Sequence, residues 1–241
     1  MDKYYIDKII MTACNENSYI SKLPIIKYLN EVRTLSFSQN VTYLVGDNGT
    51  GKSTLIEAIA VRSGYNAEGG SKNFSFSTKK TTSNLHEYIT IAKKSHEKDG
   101  FFLRAESFYN VASQVDDLGL NLDGYGGRSL HEQSHGESFL SLVKNRFRGN
   151  GLYILDEPES ALSPLRQFTL LSEINRLVNN NSQFIIATHS PILLAFPNAV
   201  IYQISNGGIQ KVNYADCEHY LLTKDFLDNP VRFISYLFSN Q

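Results

Sequence analysis

Apolar residues in this chain gather in short β-type runs, separated by stretches whose apolar positions recur at helical spacing. Tyr4 to Met11, Thr34 to Phe37 and Val41 to Val45 predict strands, the last two joined at Ser38-Gln39-Asn40. The first 45 residues therefore read as strands and turns. Lys52 to Arg62 predicts a helix, with Leu55, Ile56 and Ile59 on one face and Gly64 near its end. Residues 64–84 read as loop with a short strand at Phe74 to Ser77. Leu85 to Ala92 and Phe101 to Leu103 predict a hairpin across the turn signal Asp99-Gly100. Glu106 to Val115 predicts a helix, and the glycine-rich Asn121 to Arg128 a loop.

Farther along, Glu137 to Phe147 is helical, with Phe139, Leu140, Leu142, Val143 and Phe147 on a broad apolar face. Gly151 to Leu155 and Gln183 to Ala187 are continuous apolar runs that predict buried strands. Between them Pro164 to Val178 reads as a helix with proline in its first turn. Pro191 starts a short helix. A hairpin follows, Ala199 to Ile204 and Ile209 to Val212 around Asn206-Gly207-Gly208, and then an amphipathic helix from Pro230 to Phe238. Strands alternating with helices predict an α/β fold, a mainly parallel sheet flanked by helices with an antiparallel N-terminal β portion. No repeat or coiled-coil heptad interrupts it.

Composition narrows the function classes. At 241 residues the chain has ample length for a core, and 41% apolar, 12% aromatic content excludes disorder as the main state. The 23 basic and 24 acidic residues nearly cancel, which argues against a nucleic-acid binder working by bulk positive charge. Small basic clusters, Lys79-Lys80, Lys93-Lys94 and Arg146 with Arg148, leave a locally assembled surface open. Two cysteines, Cys14 and Cys217, exclude a disulfide scaffold and a cysteine-rich zinc site, and fit a reducing, cytoplasmic interior. The N-terminal MDKYYIDKII is broken by charges and is not read as a signal peptide. No apolar run reaches the roughly 18–20 residues of a spanning helix.

Two motifs carry chemistry. Gly46-Asp-Asn-Gly-Thr-Gly-Lys-Ser53 matches GxxxxGK[ST], with a β-rich run before it and a helical pattern after it. Its glycines let backbone N–H groups turn toward phosphate oxygens, and the following helix N-terminus adds its dipole. Asp47, Asn48, Gly49, Thr50, Gly51, Lys52, Ser53 and Thr54 are thus the candidate phosphate contacts. Lys52 would span the β- and γ-phosphates, and the Ser53 hydroxyl would ligate magnesium. The second motif is the apolar strand Leu152 to Leu155 ending in Asp156-Glu157-Pro158. Neighbouring residues on a strand face opposite sides, so the two carboxylates act together only where the backbone turns, at Pro158. Asp156 is a candidate for the Mg²⁺ shell and Glu157 for the base that orients and deprotonates the attacking water.

With these residues the chain resembles the ABC-type ATPases, in the soluble branch of chromosome-maintenance and recombination-repair ATPases, and resembles small stand-alone bacterial AAA family ATPases. The resemblance spans nearly the whole chain in the family's order. The signature, usually Leu-Ser-Gly-Gly-Gln or -Glu, appears as Gln133-Ser134-His135-Gly136-Glu137; Ser134, Gly136 and Glu137 match, Gln133 and His135 depart. Ser160-Ala-Leu-Ser163 matches the D-loop except at Ser163, and Thr188-His189-Ser190 matches the switch region. Glu106 stands where the Q-loop glutamine is expected.

The resemblance implies one ABC-type P-loop NTPase domain over residues 1–241, with a short helical and loop subregion at about 105–150. It implies ATP and Mg²⁺ as ligands, His189 on the γ-phosphate with Glu157 and Lys52 as the catalytic set, and Glu106 beside Ser53 and Asp156 at the metal. It also implies a head-to-tail homodimer in which Ser134, Gly136 and Glu137 meet the partner's nucleotide. Arg128 in the glycine-rich loop is a candidate to reach a phosphate across that dimer. Tyr19 and Tyr28 stand near the place of the adenine-stacking tyrosine, but with 14 tyrosines in the chain a core or surface role is the favoured reading for either. The interval from Glu106 to Ser134 is too short for a long coiled-coil arm. Hydrolysis would drive dimer opening in a DNA- or protein-linked process. A membrane-permease partner is the less favoured reading, and a nucleotide-gated module with negligible hydrolysis is the third.

Overall fold

The computed structural model describes residues 4–12, 14, 19–72, 83–117 (114–117 as backbone only) and 127–239. Strand β1 (Ile6–Met11) lies between β2 (Thr34–Ser36) and β4 (Ile89–Lys93) in a small antiparallel sheet. The main sheet has six strands: β5 (Asp99–Arg104), β6 (Gly151–Asp156), β7 (Gln183–Ala187), β3 (Val41–Gly46), β8 (Val200–Ser205) and β9 (Gly208–Val212) in that spatial order. The first five run parallel and only β9 is antiparallel. The α/β reading with an antiparallel N-terminal portion is therefore the architecture observed.

Period-two burial on both faces builds two cores. Tyr43, Val45, Tyr153, Leu155, Phe184 and Ile186 face one side, against α4 (His135–Arg146) and α5 (Pro164–Asn179). Leu44, Ile154, Ile185 and Ala187 face the other side, against α2 (Lys52–Arg62) and the small sheet. Gln183 fastens the two sheets together. Its fully buried carboxamide accepts the Tyr5 and Ile6 N–H groups at 2.8 Å each and donates to the Ile6 carbonyl at 3.0 Å.

Several expectations need correction. The first 45 residues contain a helix, α1 (Pro24–Val32), whose buried Ile25, Ile26 and Leu29 pack behind the main sheet. Thr34–Ser36 and Val41–Gly46 follow one another in sequence but enter different sheets, and the same holds for β4 and β5, so the expected hairpin does not form. Asp99-Gly100 is no turn: both residues lie in β5, where a side chain at Gly100 would overlap Tyr65 and the Leu152 carbonyl. The remaining helices are α3 (Phe108–Asp117), α6 (Pro191–Leu194), α7 (Glu218–Asp228), which no expectation covered, and α8 (Pro230–Ser239). The strand at Phe74 to Ser77, Lys79-Lys80 and residues 121–126 of the glycine-rich loop lie outside the described residues.

Candidate active site

The phosphate loop links β3 to α2, and its backing fixes its shape. At Gly51, φ is +96° and a Cβ would stand 2.6 Å from Ile25 Cγ2, so only glycine fits there. The Ile25 N–H donates to the Thr50 carbonyl at 3.2 Å, and the Thr50 hydroxyl donates to the Asp47 carbonyl at 2.8 Å. Lys52 is only 4% exposed and its ammonium sits in the mouth of the loop, donating to the carbonyls of Gly46 at 2.6 Å and Asp47 at 3.0 Å. Burial pulls its pKa down, and the carboxylates of Glu157, Asp156, Asp47 and Glu159 oppose that pull. Asp47, Asn48 and Gly49 are exposed at the tip, and Thr54 is half-buried in the first turn of α2.

Three adjacent parallel strands bring the acidic residues to this loop. The Ser53 hydroxyl donates to Asp156 Oδ1 at 3.0 Å. Arg104, at the end of β5, donates to Asp156 Oδ2 at 3.0 Å and to Glu57 Oε2 at 3.1 Å. Asp156 is 3% exposed; burial raises its pKa, against the Arg104 charge and the Ser53 hydrogen bond. A hydroxyl and a carboxylate oxygen this close form an all-oxygen donor pair of the kind magnesium takes, so the residues fit that ion. Glu157 holds a left-handed backbone, φ +49° and ψ +51°, uncommon for a residue with a Cβ. Three hydrogen bonds keep it there: its N–H to the Ala187 carbonyl at 3.0 Å, and the Ser160 hydroxyl and N–H to its own carbonyl at 2.7 and 3.1 Å. The turn swings its half-exposed carboxylate into the cleft, 3.5 Å from His189 Nε2.

His189 follows β7. Its N–H donates to Glu159 Oε1 at 2.5 Å, and its Nδ1 lies 3.1 Å from Nε2 of His219 at the start of α7. Burial lowers the His189 pKa, and nearby Lys52 lowers it further. The buried Gln167 ties α5 to the same turn by accepting the Ser190 hydroxyl at 2.5 Å.

Ser53, Glu106, Asp156, Glu157, Ser160 and His135 line one cleft of about 430 Å³. Glu106 is exposed there, in the turn after β5. Ser134, Gly136 and Glu137 do not line it. They form the N-terminus of α4, where Glu137 accepts the Ser134 N–H at 3.1 Å. Arg166 of α5 donates to Ser134 Oγ at 3.3 Å and to Glu137 at 2.9 Å. Gly136 is buried, and a Cβ there would stand 2.7 Å from Arg166 and 2.8 Å from the Ala161 carbonyl. His135 packs edge-on against Phe108, ring centroids 5.3 Å apart. Arg128 and Tyr19 are exposed, whereas Tyr28 fills the space beside Gly208.

A family model described as ABC transporter matches residues 29–160, more than half of the chain. The chain belongs to this family. As an ABC-type ATPase it binds and hydrolyses ATP. A second model, described as "AAA domain, putative AbiEii toxin, Type IV TA system", matches residues 138–195 of this ABC-type ATPase. Among solved structures, "An inward-facing conformation of a putative metal-chelate type ABC transporter" is 18% identical over 92% of this chain and 88% of that one, with a TM-score of 0.52. At that identity the likeness shows the fold. The SMC head domain from Thermotoga maritima is 16% identical over 87% and 99% of the two chains, TM-score 0.47. A nucleotide-free ATP-binding cassette from an ABC transporter is 17% identical over 94% and 96%, TM-score 0.49. The curated proteins contain no match. Among the described residues of the ABC-type ATPase no helix is long and apolar enough to cross a membrane.

Sequence reasoning missed Glu159, Arg166 and His219. Glu159 lies just past Asp156-Glu157-Pro158, outside the motif itself. Arg166 and His219 carry no local motif; they reach the site through helix packing.

Proposed function

We propose that this ABC-type ATPase is an engine whose two copies close on ATP and open on hydrolysis, serving a cytoplasmic process linked to DNA or a partner protein. The observation that carries the reading is the convergence of Lys52, Ser53, Asp156, Glu157 and His189 at the ends of β3, β6 and β7. Lys52 exchanges its two loop carbonyls for phosphate oxygens. Ser53 and Asp156, with Glu106 facing them, would hold Mg²⁺, which when bound polarises the phosphates as a Lewis acid. Glu157 orients the attacking water and takes its proton. His189 holds the γ-phosphate side of the cleft.

Closure of two copies is supported by the second half-site. Ser134 stands exposed at a helix N-terminus, with exposed Leu165 and Phe168 beside Arg166 on α5. One domain over residues 1–241 is consistent with the two shared cores. Nucleic acid has less support from charge: Lys93, Lys94 and Arg146 are each engaged by a carboxylate.

Glu157→Gln tests the reading. Turnover is expected to fall about 10²–10⁴-fold, with a dimer accumulating on ATP in size-exclusion chromatography. Wild-type turnover in that variant, or hydrolysis by a chain that stays monomeric with ATP, would overturn it. Repeating the assay with DNA at stated salt, and with co-purified membrane protein, separates the partner classes.

A further inference from the structure

The first turn of α7 carries a group that the family motifs do not place at the site. Cys217, just before it, is fully buried, and Tyr220 packs on Tyr214 with ring centroids 4.4 Å apart. Between them His219 reaches the switch residue: His219 Nε2 and His189 Nδ1 are 3.1 Å apart, ring centroids 5.2 Å. The outer nitrogens are both buried and without a hydrogen-bond partner among the described residues. His189 Nε2 faces Glu157 Oε1 at 3.5 Å.

Two ring nitrogens at hydrogen-bond distance need one proton between them. Suppose that His189 Nδ1 carried it. His189 Nε2 would then present a lone pair to a carboxylate, and His219 Nδ1–H would be a buried donor with no acceptor. If His219 Nε2 carries the proton, His189 Nε2–H faces the carboxylate and His219 Nδ1 is left as a bare lone pair. The second arrangement satisfies both ends better. It needs both rings neutral. Burial lowers both pKa values and Lys52 adds to that; Glu157 opposes it at His189, and Asp47 and Glu218 oppose it at His219.

We propose that His219 is a positioning residue for ATP hydrolysis: its Nε2–H donates to His189 Nδ1 and holds His189 as the tautomer whose Nε2–H points at Glu157 and the γ-phosphate. The inference rests on the reading that His189 and Glu157 flank that phosphate. The logic is that of any catalytic histidine whose working nitrogen is set by the hydrogen bond on the other one. It also makes α7, otherwise an exposed helix, part of the hydrolytic apparatus.

The test uses the full chain. His219→Phe keeps a ring and removes the donor; His219→Gln places an amide N–H near the lost Nε2–H. His219→Phe is expected to lower kcat about 10- to 100-fold, as the loss of an outer partner that orients a working histidine does, with KM for ATP within about twofold, as expected for a group that acts on the chemical step. His219→Gln is expected to restore most of the rate. In long-range ¹H–¹⁵N spectra of the wild-type chain, His189 is expected as the Nε2–H tautomer, turning into a mixture in His219→Phe. Wild-type kcat in His219→Phe, equal loss in both variants, or a His189 Nδ1–H tautomer in the wild type overturns the proposal. If His219→Phe does not fold, the wild-type spectrum decides alone. Failure of the underlying reading shows separately, as a wild-type chain with no phosphate release whose His189 tautomer is still measured.

Discussion

Replacing Arg104 by leucine strips the counter-charge from two carboxylates at once. Its guanidinium reaches Asp156 at 3.0 Å and Glu57 at 3.1 Å, and these residues are 3% and 8% exposed. Glu57 keeps the Ser83 N–H at 2.9 Å, so the burden falls on Asp156, which retains only Ser53. Removing one partner of a buried pair costs about 3–5 kcal/mol. For a chain of this size that is a fall in Tm of roughly 6–20 °C. The sign with pH follows from the carboxyl group. Burial already holds the folded pKa of Asp156 above its ordinary value, and losing Arg104 raises it further. The folded state then binds more protons than the unfolded one, so stability falls as pH rises through that window. The deficit is expected to be small below about pH 3, under the ordinary aspartate pKa of about 3.9 that applies to the unfolded chain, and full above the folded pKa. Thermal unfolding of wild type, Arg104→Leu, Asp156→Asn and the double variant across pH measures it. Asp156→Asn should recover a large part of the loss in the Arg104→Leu background. A deficit under about 1 kcal/mol at pH 7.5, or one independent of pH and not relieved by Asp156→Asn, would refute the reasoning.

Gln183→Leu leaves the Tyr5 and Ile6 N–H groups and the Ile6 carbonyl without their buried partner. A loss of about 3 kcal/mol or more is expected, seen as a lower urea midpoint at unchanged m; an unaltered midpoint would show that the small sheet does not depend on this clamp. Lys52→Met is expected to fold nearly as well as wild type, because burial already penalises the charge. It should weaken ATP binding about tenfold or more through loss of a charge-assisted contact; titration with a fluorescent nucleotide reads this, and unchanged affinity would remove Lys52 from the phosphate site.

Most of the site was legible because its residues sit at strand ends, where local pattern is strongest. Val41–Gly46, Gly151–Asp156 and Gln183–Ala187 are apolar runs that stop at chemistry, and α2 starts at the predicted Lys52. What a run of β-formers cannot state is which sheet it joins. Thr34–Ser36 and β4 went to β1, while their sequence neighbours β3 and β5 joined the main sheet, so both adjacency-based pairings failed. Gly100 looked like a turn because glycine signals either freedom or crowding, and here Tyr65 supplies crowding. Helix α1 was missed although Pro24 opens it and Ile25, Ile26 and Leu29 recur at helical spacing, because it sits among β-type runs. Arg104 belongs to no local motif. Its double pairing depends on Glu57, a residue inside α2 and 47 positions away in sequence. The His189–His219 contact spans 30 residues and a hairpin, beyond any local pattern.

The Gln183 clamp has a consequence for how the chain is made. It joins residues 177 positions apart, so β1 and its pairing partners β2 and β4 all leave the ribosome long before the amide partner exists. At about 5–20 residues per second, the wait is roughly 9–35 s. The phosphate loop waits similarly, since β3 lies between β7 and β8, and Asp156 follows Ser53 by 103 residues, with His189 later still. An early small sheet must therefore keep its apolar face covered until the main sheet is complete, and the capacity to hold nucleotide appears only once β7 and β8 have been made.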